Sequence, residues 1–268
     1  MRNAHDLSQV LAELDRAFAT PPETGPAEGC GYCYREADLV ALGGDPHLVP
    51  DDLAGRFVSE CYDHFGVEQY GNLWRRLAPR ILRLVINNPT GGDLGLLMRG
   101  LGWPHARFAE WPREQQATVR ATLEAALAVA LTDGRAPRDV VELLGAVASL
   151  DHDVVPWLHR IDELTGPAAD AGLVRLAGYW AVDLTWGEEP NWWWFPDDPN
   201  GPVRDWFRSP AVRDRVQAFA DRNPRCKNAA DALIAIDSFG GDEGVWFYPG
   251  YGYDKMAFAN MRELSRSL

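Results

Sequence analysis

Two short pairs of soft ligands lie in the first quarter of the chain: Cys30 with Cys33 in the run CGYC, and Cys61 with His64 in the run CYDH. Together they form the pattern C-x2-C-x27-C-x2-H. Three thiolates and an imidazole are a donor set of closed structural zinc sites, in which the protein fills all four tetrahedral positions. The pattern therefore predicts a structural zinc ion bound by these four residues.

The local structure expected around each pair allows such a site. The first pair lies in a glycine-containing knuckle, where both sulfurs can face one ion. Apolar positions from Leu53 to Phe65 predict one helix that ends at Gly66. On that helix Cys61 and His64 would be three residues apart and therefore on the same face.

Other interpretations of the same residues stay open. Cys61 also falls on the apolar stripe of its predicted helix, so the cysteines are alternatively buried thiols and His64 a donor to a backbone carbonyl. A redox role is disfavoured, because a thioredoxin-like pair begins a helix after a buried strand. If one ligand is missing, a three-ligand site leaves room for a metal-bound water, as in a metal-dependent hydrolase.

A second candidate site is the aromatic and acidic run WGEEPNWWWFPDDPNGP. Three adjacent indoles cannot all point into one core, so at least one is expected near the surface, beside carboxylates. Such a loop can anchor an arginine-bearing partner or stack on a sugar ring, or alternatively fold back over helix ends. The residues predicted to bind a partner are Trp192, Trp193, Trp194, Glu188, Glu189, Asp197 and Asp198.

Composition narrows the classes of protein. The formal net charge is −13, with 39 acidic and 26 basic residues, which disfavours nucleic acid and anionic membranes and favours a basic protein partner. Four cysteines in 268 residues are too few for a disulfide scaffold. With no long apolar run and no secretory leader pattern, we expect a cytoplasmic protein.

Helical periodicity dominates the chain and predicts an all-α fold. Successive amphipathic segments in the middle of the chain suggest antiparallel helical hairpins stacked in a HEAT-like or irregular array, with a small zinc-knuckle-like N-terminal part. We expect a single α-helical domain over 1–268. It consists of an N-terminal part with both ligand pairs (1–110), a helical stack (111–240) and an aromatic tail (241–268), where a hairpin or irregular strand is expected.

Three runs carry a resemblance: CGYCYREADLVAL, YDHFGVEQYGNLWRRLAPRILRLV and LVRLAGYWAVDL. They resemble a loose group of uncharacterised actinobacterial helical proteins with an N-terminal CxxC and a downstream PRIL helix. The resemblance implies a mostly helical architecture and no particular activity.

Taken together, these features favour a non-enzymatic, acidic helical interaction protein with a structural zinc site. One concrete form is an immunity or antitoxin-like protein whose negative surface covers a basic partner. The alternatives are a metal-dependent hydrolase using the cysteine and histidine site, and a carbohydrate-binding protein using the tryptophan-rich loop.

Overall fold

A computed structural model describes residues 7–22, 25–59, 62–87, 100–185 and 200–238. Up to residue 87, the described residues of the N-terminal part contain four α-helices. They are α1 (Leu7–Ala17), α2 (Glu36–Gly43), α3 (Asp51–Ser59) and α4 (Val67–Asn87). Four 3-10 turns lie in the described residues of the same part: Pro46–Leu48, Tyr62–His64, Pro104–Ala106 and Phe108–Glu110.

The described residues of the second part, from residue 111 onward, contain seven further α-helices. They are α5 (Arg113–Thr132), α6 (Pro137–Asp151), α7 (Val155–Glu163), α8 (Pro167–Thr185), α9 (Asn200–Arg208), α10 (Pro210–Arg222) and α11 (Lys227–Ser238). Local signals explain several boundaries. Pro137 occupies the first turn of α6, and the Ser209 hydroxyl accepts a hydrogen bond from the backbone N–H of Val212 at the start of α10.

The all-α prediction is confirmed: the described residues are mostly helical, and their β-type pairing is limited to one isolated bridge, Gly29 with Phe65. The finer prediction of a HEAT-like array stays a prediction, as do the domain limits. Among the described residues, no helix is long and apolar enough to cross a bilayer.

One helix boundary in the sequence-based interpretation is wrong. The helix predicted to run to Gly66 ends at Ser59, and residues 62–64 form a 3-10 turn. The reason is a competing backbone interaction, because the carbonyl of His64 accepts a hydrogen bond from the N–H of Cys30 at 2.9 Å. A chain that pairs with a distant segment at 64 and 65 cannot continue a regular α-helix there.

The core is one continuous cluster that extends from Leu14 in α1 to Ile236 in α11. Its largest fully buried side chains include Trp74 on α4 and Trp180 on α8. Helix α1 packs on α5, and α4 also contacts α5, so the N-terminal part shares this core with the second part. The ligand-bearing segments are therefore attached to a large apolar body.

Helix α8 lies at the centre of the second part, where it packs against α5, α6, α9, α10 and α11. Two of its glycines allow this close approach. A Cβ added at Gly172 would lie 2.1 Å from the carbonyl oxygen of Leu131, and one at Gly178 would lie 2.9 Å from that of Asn228. The close packing of α8 therefore depends on glycine at these two positions.

Arginines of α4 hold the irregular N-terminal chain in place. Arg76 donates to the carbonyl oxygens of Gly44 and, at 2.7 Å, Pro22. Arg83 donates to the carbonyl oxygen of Leu11 near the middle of α1. The carbonyl oxygens of Gly44 and Pro22 lie outside the helices, so these bonds from Arg76 satisfy backbone acceptors of the irregular chain, and α4 supports the segments around α2.

Candidate metal centre

The first pair of ligands lies in a tight turn that follows Gly29. The N–H groups of Cys33 and Tyr34 donate to the carbonyl oxygen of Cys30 at 3.1 and 3.0 Å. This hydrogen bonding folds the chain back on itself, which brings the two cysteines to the same side. We call this turn, residues 29–34, the knuckle; that it forms part of a zinc site stays a prediction.

Position 29 requires a glycine, because there is no space for a side chain beside the turn. A Cβ added there would lie 2.7 Å from Cδ2 of Leu39 and 2.9 Å from Cε1 of Phe65. Because Gly29 also forms the isolated antiparallel bridge with Phe65, the absence of a side chain lets the knuckle approach the chain after His64 closely.

The second segment is brought to the knuckle by that bridge and by Gln69 on the first turn of α4. Gln69 accepts from the N–H of Glu28 at 2.9 Å and donates to the carbonyl oxygen of Pro26 at 3.4 Å. Together with the bond from Cys30 to His64, these contacts join residues 26–30 to residues 64–69 along their length.

A cluster of buried aromatic side chains packs against both the knuckle and the segment that contains His64. Tyr34, 2% exposed, packs on Phe65 with ring centroids 5.1 Å apart, and Phe57 packs on Phe65 at 5.6 Å. The cluster continues through Tyr70 and Trp74, whose rings each lie 5.5 Å from that of Phe57. The residues next to two of the ligands, Tyr34 and Phe65, are thus anchored in the core.

This framework places three of the predicted ligands together. One ligand atom each from Cys30, Cys33 and His64 lies within 4.8 Å of the others, and all three residues are half-buried. Tetrahedral zinc with zinc–sulfur bonds of about 2.3 Å separates its ligands by about 3.8 Å. The observed spacing is therefore close to what one ion needs, and small side-chain rotations close the difference.

The electrostatics of Cys30 favour metal binding. The His64 side chain hydrogen-bonds to the Cys30 sulfur and, with backbone N–H groups of Cys33 and Tyr32, lowers the pKa of the Cys30 thiol from 9.0 to about 7. The thiolate is the form that binds a metal. The site thus carries a large thiolate fraction at neutral pH, and less proton release is needed when an ion binds.

The remaining predicted site residues lie outside the described residues. Cys61 stands three positions before His64 in the chain, and its role as a fourth ligand stays a prediction. The same holds for the tryptophan-rich loop, with Trp192, Trp193, Trp194, Glu188, Glu189, Asp197 and Asp198, and for the aromatic tail. Within the described part of the chain, the Cys30, Cys33 and His64 group is the one cluster of histidine, cysteine and acidic side chains with metal-binding spacing.

Sequence reasoning missed the residues that position the ligands. Gln69, Phe65 and Tyr34 have no metal-binding chemistry, and their contacts join segments about 30 to 40 positions apart, as the bond between Glu28 and Gln69 shows. The one local signal was Gly29 directly before Cys30, since a glycine in an extended stretch often marks a close backbone approach.

Comparison of the chain with protein-family models, with curated proteins and with solved structures found no match.

Proposed function

We propose that the protein is a zinc-binding helical interaction protein, with a structural zinc ion held by Cys30, Cys33, His64 and Cys61. The observation that supports the proposal is the convergence of the first three side chains within 4.8 Å. The fourth ligand is proposed from the sequence, because Cys61 is three residues from His64. Three thiolates and one imidazole suit zinc better than magnesium or calcium, which prefer oxygen ligands.

The proposed ion is structural because four protein ligands leave no position for a bound water. Its effect would be to join the knuckle to the chain that leads into α4. In the described residues these two segments share one isolated bridge and a few hydrogen bonds, among them the bond from Cys30 to His64. Zinc in small peptide sites contributes on the order of 10 kcal/mol of apparent binding free energy, which is far more than those bonds supply.

The role of Cys61 can be tested by substitution to serine, with Cys226→Ser as the matched control. Cys226 is a free cysteine beside α11, with no part in the cluster. We expect purified wild type and Cys226→Ser to hold one zinc per chain, measured by elemental analysis. Cys61→Ser should bind zinc much more weakly, and its cobalt(II) form should show less thiolate charge-transfer absorption.

The outcome also separates a structural site from a catalytic one. If Cys61→Ser keeps full zinc affinity and an unchanged cobalt(II) spectrum, the site has three protein ligands and an open position. A metal-dependent hydrolase would then be the better proposal. A wild-type protein that holds no zinc would refute the metal site altogether.

We further propose that the partner is a basic protein, as an immunity or antitoxin-like function would require. The support is the net charge of −13, which favours association with positive surfaces and opposes nucleic acid. The test is binding to a basic protein at rising salt, with the wild type and with Trp192, Trp193 and Trp194 replaced together. Affinity that is insensitive to both changes would contradict this role.

A further inference from the structure

Exposed large hydrophobic side chains are unevenly distributed over the described residues. Those exposed by more than half all lie between residues 32 and 67: Tyr32 at 97%, Leu48 at 78%, Val40 at 56% and Val67 at 55%. Tyr32 and Val67 are also close to the metal ligands in the chain. Tyr32 lies between Cys30 and Cys33, and Val67 follows His64 by three positions.

Tyr32 is held outward on a well-supported turn. The bonds from Cys33 and Tyr34 to the carbonyl oxygen of Cys30 define the turn, and the buried ring of Tyr34 anchors its end. A tyrosine fixed in this way loses little conformational entropy when it binds a partner, because its backbone is already ordered. Isolated exposed hydrophobics are common, but a fully exposed aromatic ring at the tip of a supported turn is a suitable anchor.

The charges beside this turn are mainly negative. Glu28, Asp63 and Glu68 are exposed, and each lies next to a residue that joins the knuckle to the second segment: Gly29, His64 and Gln69 respectively. Two basic residues lie near these acids: Arg35 is the exposed one nearest in the sequence to the turn, and Arg107, which pairs with Glu110, also interacts electrostatically with Glu68. The turn and the segment joined to it therefore carry one exposed ring and three exposed carboxylates, a combination that suits a guanidinium group.

We propose that Tyr32, with Glu28, Asp63 and Glu68, forms a docking surface for an arginine-rich segment of a partner protein. An arginine side chain stacks on the Tyr32 ring while the carboxylates attract the neighbouring positive charges. This inference rests on the proposed function, because the zinc ion holds the turn against the second segment. It assigns the partner contact to the knuckle, independently of the tryptophan-rich loop.

The test uses fluorescein-labelled nona-arginine and nona-lysine, with binding followed by fluorescence anisotropy on zinc-loaded protein. We expect nona-arginine to bind more tightly, since a guanidinium stacks on an aromatic ring better than an ammonium group. Tyr32→Ala should weaken nona-arginine binding about threefold. Tyr179→Ala, on α8 and 37% exposed, is the matched aromatic control and should have no effect.

The carboxylates are tested with two triple variants of equal net charge. Glu28→Gln, Asp63→Asn and Glu68→Gln together should weaken nona-arginine binding about tenfold and reduce its salt dependence. The control replaces three exposed acids elsewhere, with Glu114→Gln, Asp205→Asn and Asp214→Asn. Equal losses in the two triple variants would show that only total charge matters and would overturn the surface.

Other results also decide the proposal. Equal affinity for the two peptides, or an unchanged affinity in Tyr32→Ala, would overturn it. A wild-type dimer in light scattering that Tyr32→Ala dissociates would show that the surface binds a second copy instead. Failure of the zinc proposal is measured separately, by elemental analysis. Protein that holds no zinc but still binds nona-arginine through Tyr32 would refute the ion and keep the docking surface.

Discussion

The ligand-bearing segments and the helical body around α8 are held together in different ways. In residues 25–69 the helices are short, and the chain is connected by single hydrogen bonds such as those of Gln69 and Cys30. Around α8, long helices pack closely through glycine, as at Gly172. Both regions share the apolar core, but close helix packing dominates the second, whereas the first contains irregular chain that the proposed zinc ion would hold.

The largest expected difference between the two regions follows chelation of the proposed zinc ion. Removal of the ion should increase hydrogen exchange at the amides of Cys30 and Tyr34 by about 100-fold or more, because few bonds remain between the two segments. Amides of Leu123 and Leu127 on α5 should change little, since the core around them contains no ligand. Mass-spectrometric exchange on the full chain measures both. Equal changes in both regions would contradict the distinction.

The opposite perturbation is Gly172→Val, which should destabilise the body by about 3 kcal/mol through overpacking. The added side chain has no space, because a Cβ would lie 2.1 Å from the carbonyl oxygen of Leu131. Chemical denaturation measures the loss, and the folded variant should still bind one zinc. Gly55→Ala in α3 is the control: its Cβ meets no atom within 4 Å, so we expect a gain of about 0.5 to 1 kcal/mol.

The electrostatics of the knuckle give a pH-dependent prediction. In metal-free folded protein, the alkylation rate of Cys30 by iodoacetamide should rise with a midpoint near pH 7, because the pKa of the thiol is lowered to about 7. Denatured protein should show a midpoint near the ordinary value of 9.0. The folded state therefore favours the thiolate, and this preference contributes to stability above pH 9 and is lost as the pH falls through about 7.

The cause of that shift is tested with His64→Gln, which removes the largest contribution. The midpoint for Cys30 should move toward its ordinary value, whereas His159→Gln, an exposed histidine on α7, should leave it unchanged. Peptide mapping of the alkylated protein reports Cys30 individually. A midpoint that stays near pH 7 in His64→Gln would assign the shift to the backbone N–H groups instead.

The smallest effect is expected when a hydrogen-bonding residue that supports the knuckle, Gln69, is replaced. Gln69→Met removes the hydrogen bonds to Glu28 and Pro26 and should lower zinc affinity about fivefold, equivalent to about 1 kcal/mol. Gln9→Met is the control, because Gln9 bonds only to Glu13 within α1. Competition with a zinc chelator measures both variants. If Gln9→Met has the same effect, Gln69 has no special part in positioning the ligands.

Sequence patterns were most informative where structure is local. The successive amphipathic segments in the middle of the chain correspond to α5, α6, α7 and α8, because each has apolar residues at helical spacing and polar or proline-containing boundaries. Ser209 and Pro210 are local signals of the same kind, and they separate α9 from α10. The candidate ligands Cys30, Cys33 and His64 were identified from residue type and spacing alone.

The helix that was predicted to reach Gly66 ends at Ser59, which shows what an apolar pattern does not determine. The apolar pattern correctly predicted that Phe57 and Phe65 both face the core. The chain between them, however, is not one helix. Phe65 reaches the core from beside the bridge to Gly29. A pattern of burial records which residues face the interior and does not record the backbone path between them.

The sequence by itself determined the donor atoms and most of the helices, because both depend on residue type and on spacings of a few positions. Tertiary structure alone decided that the imidazole of His64 meets the thiol of Cys30 and shifts its pKa. That meeting depends on contacts between segments more than thirty positions apart, including Gly29 with Phe65 and Glu28 with Gln69. Such contacts form only when the shared core brings the segments together, and no short pattern in the chain specifies them.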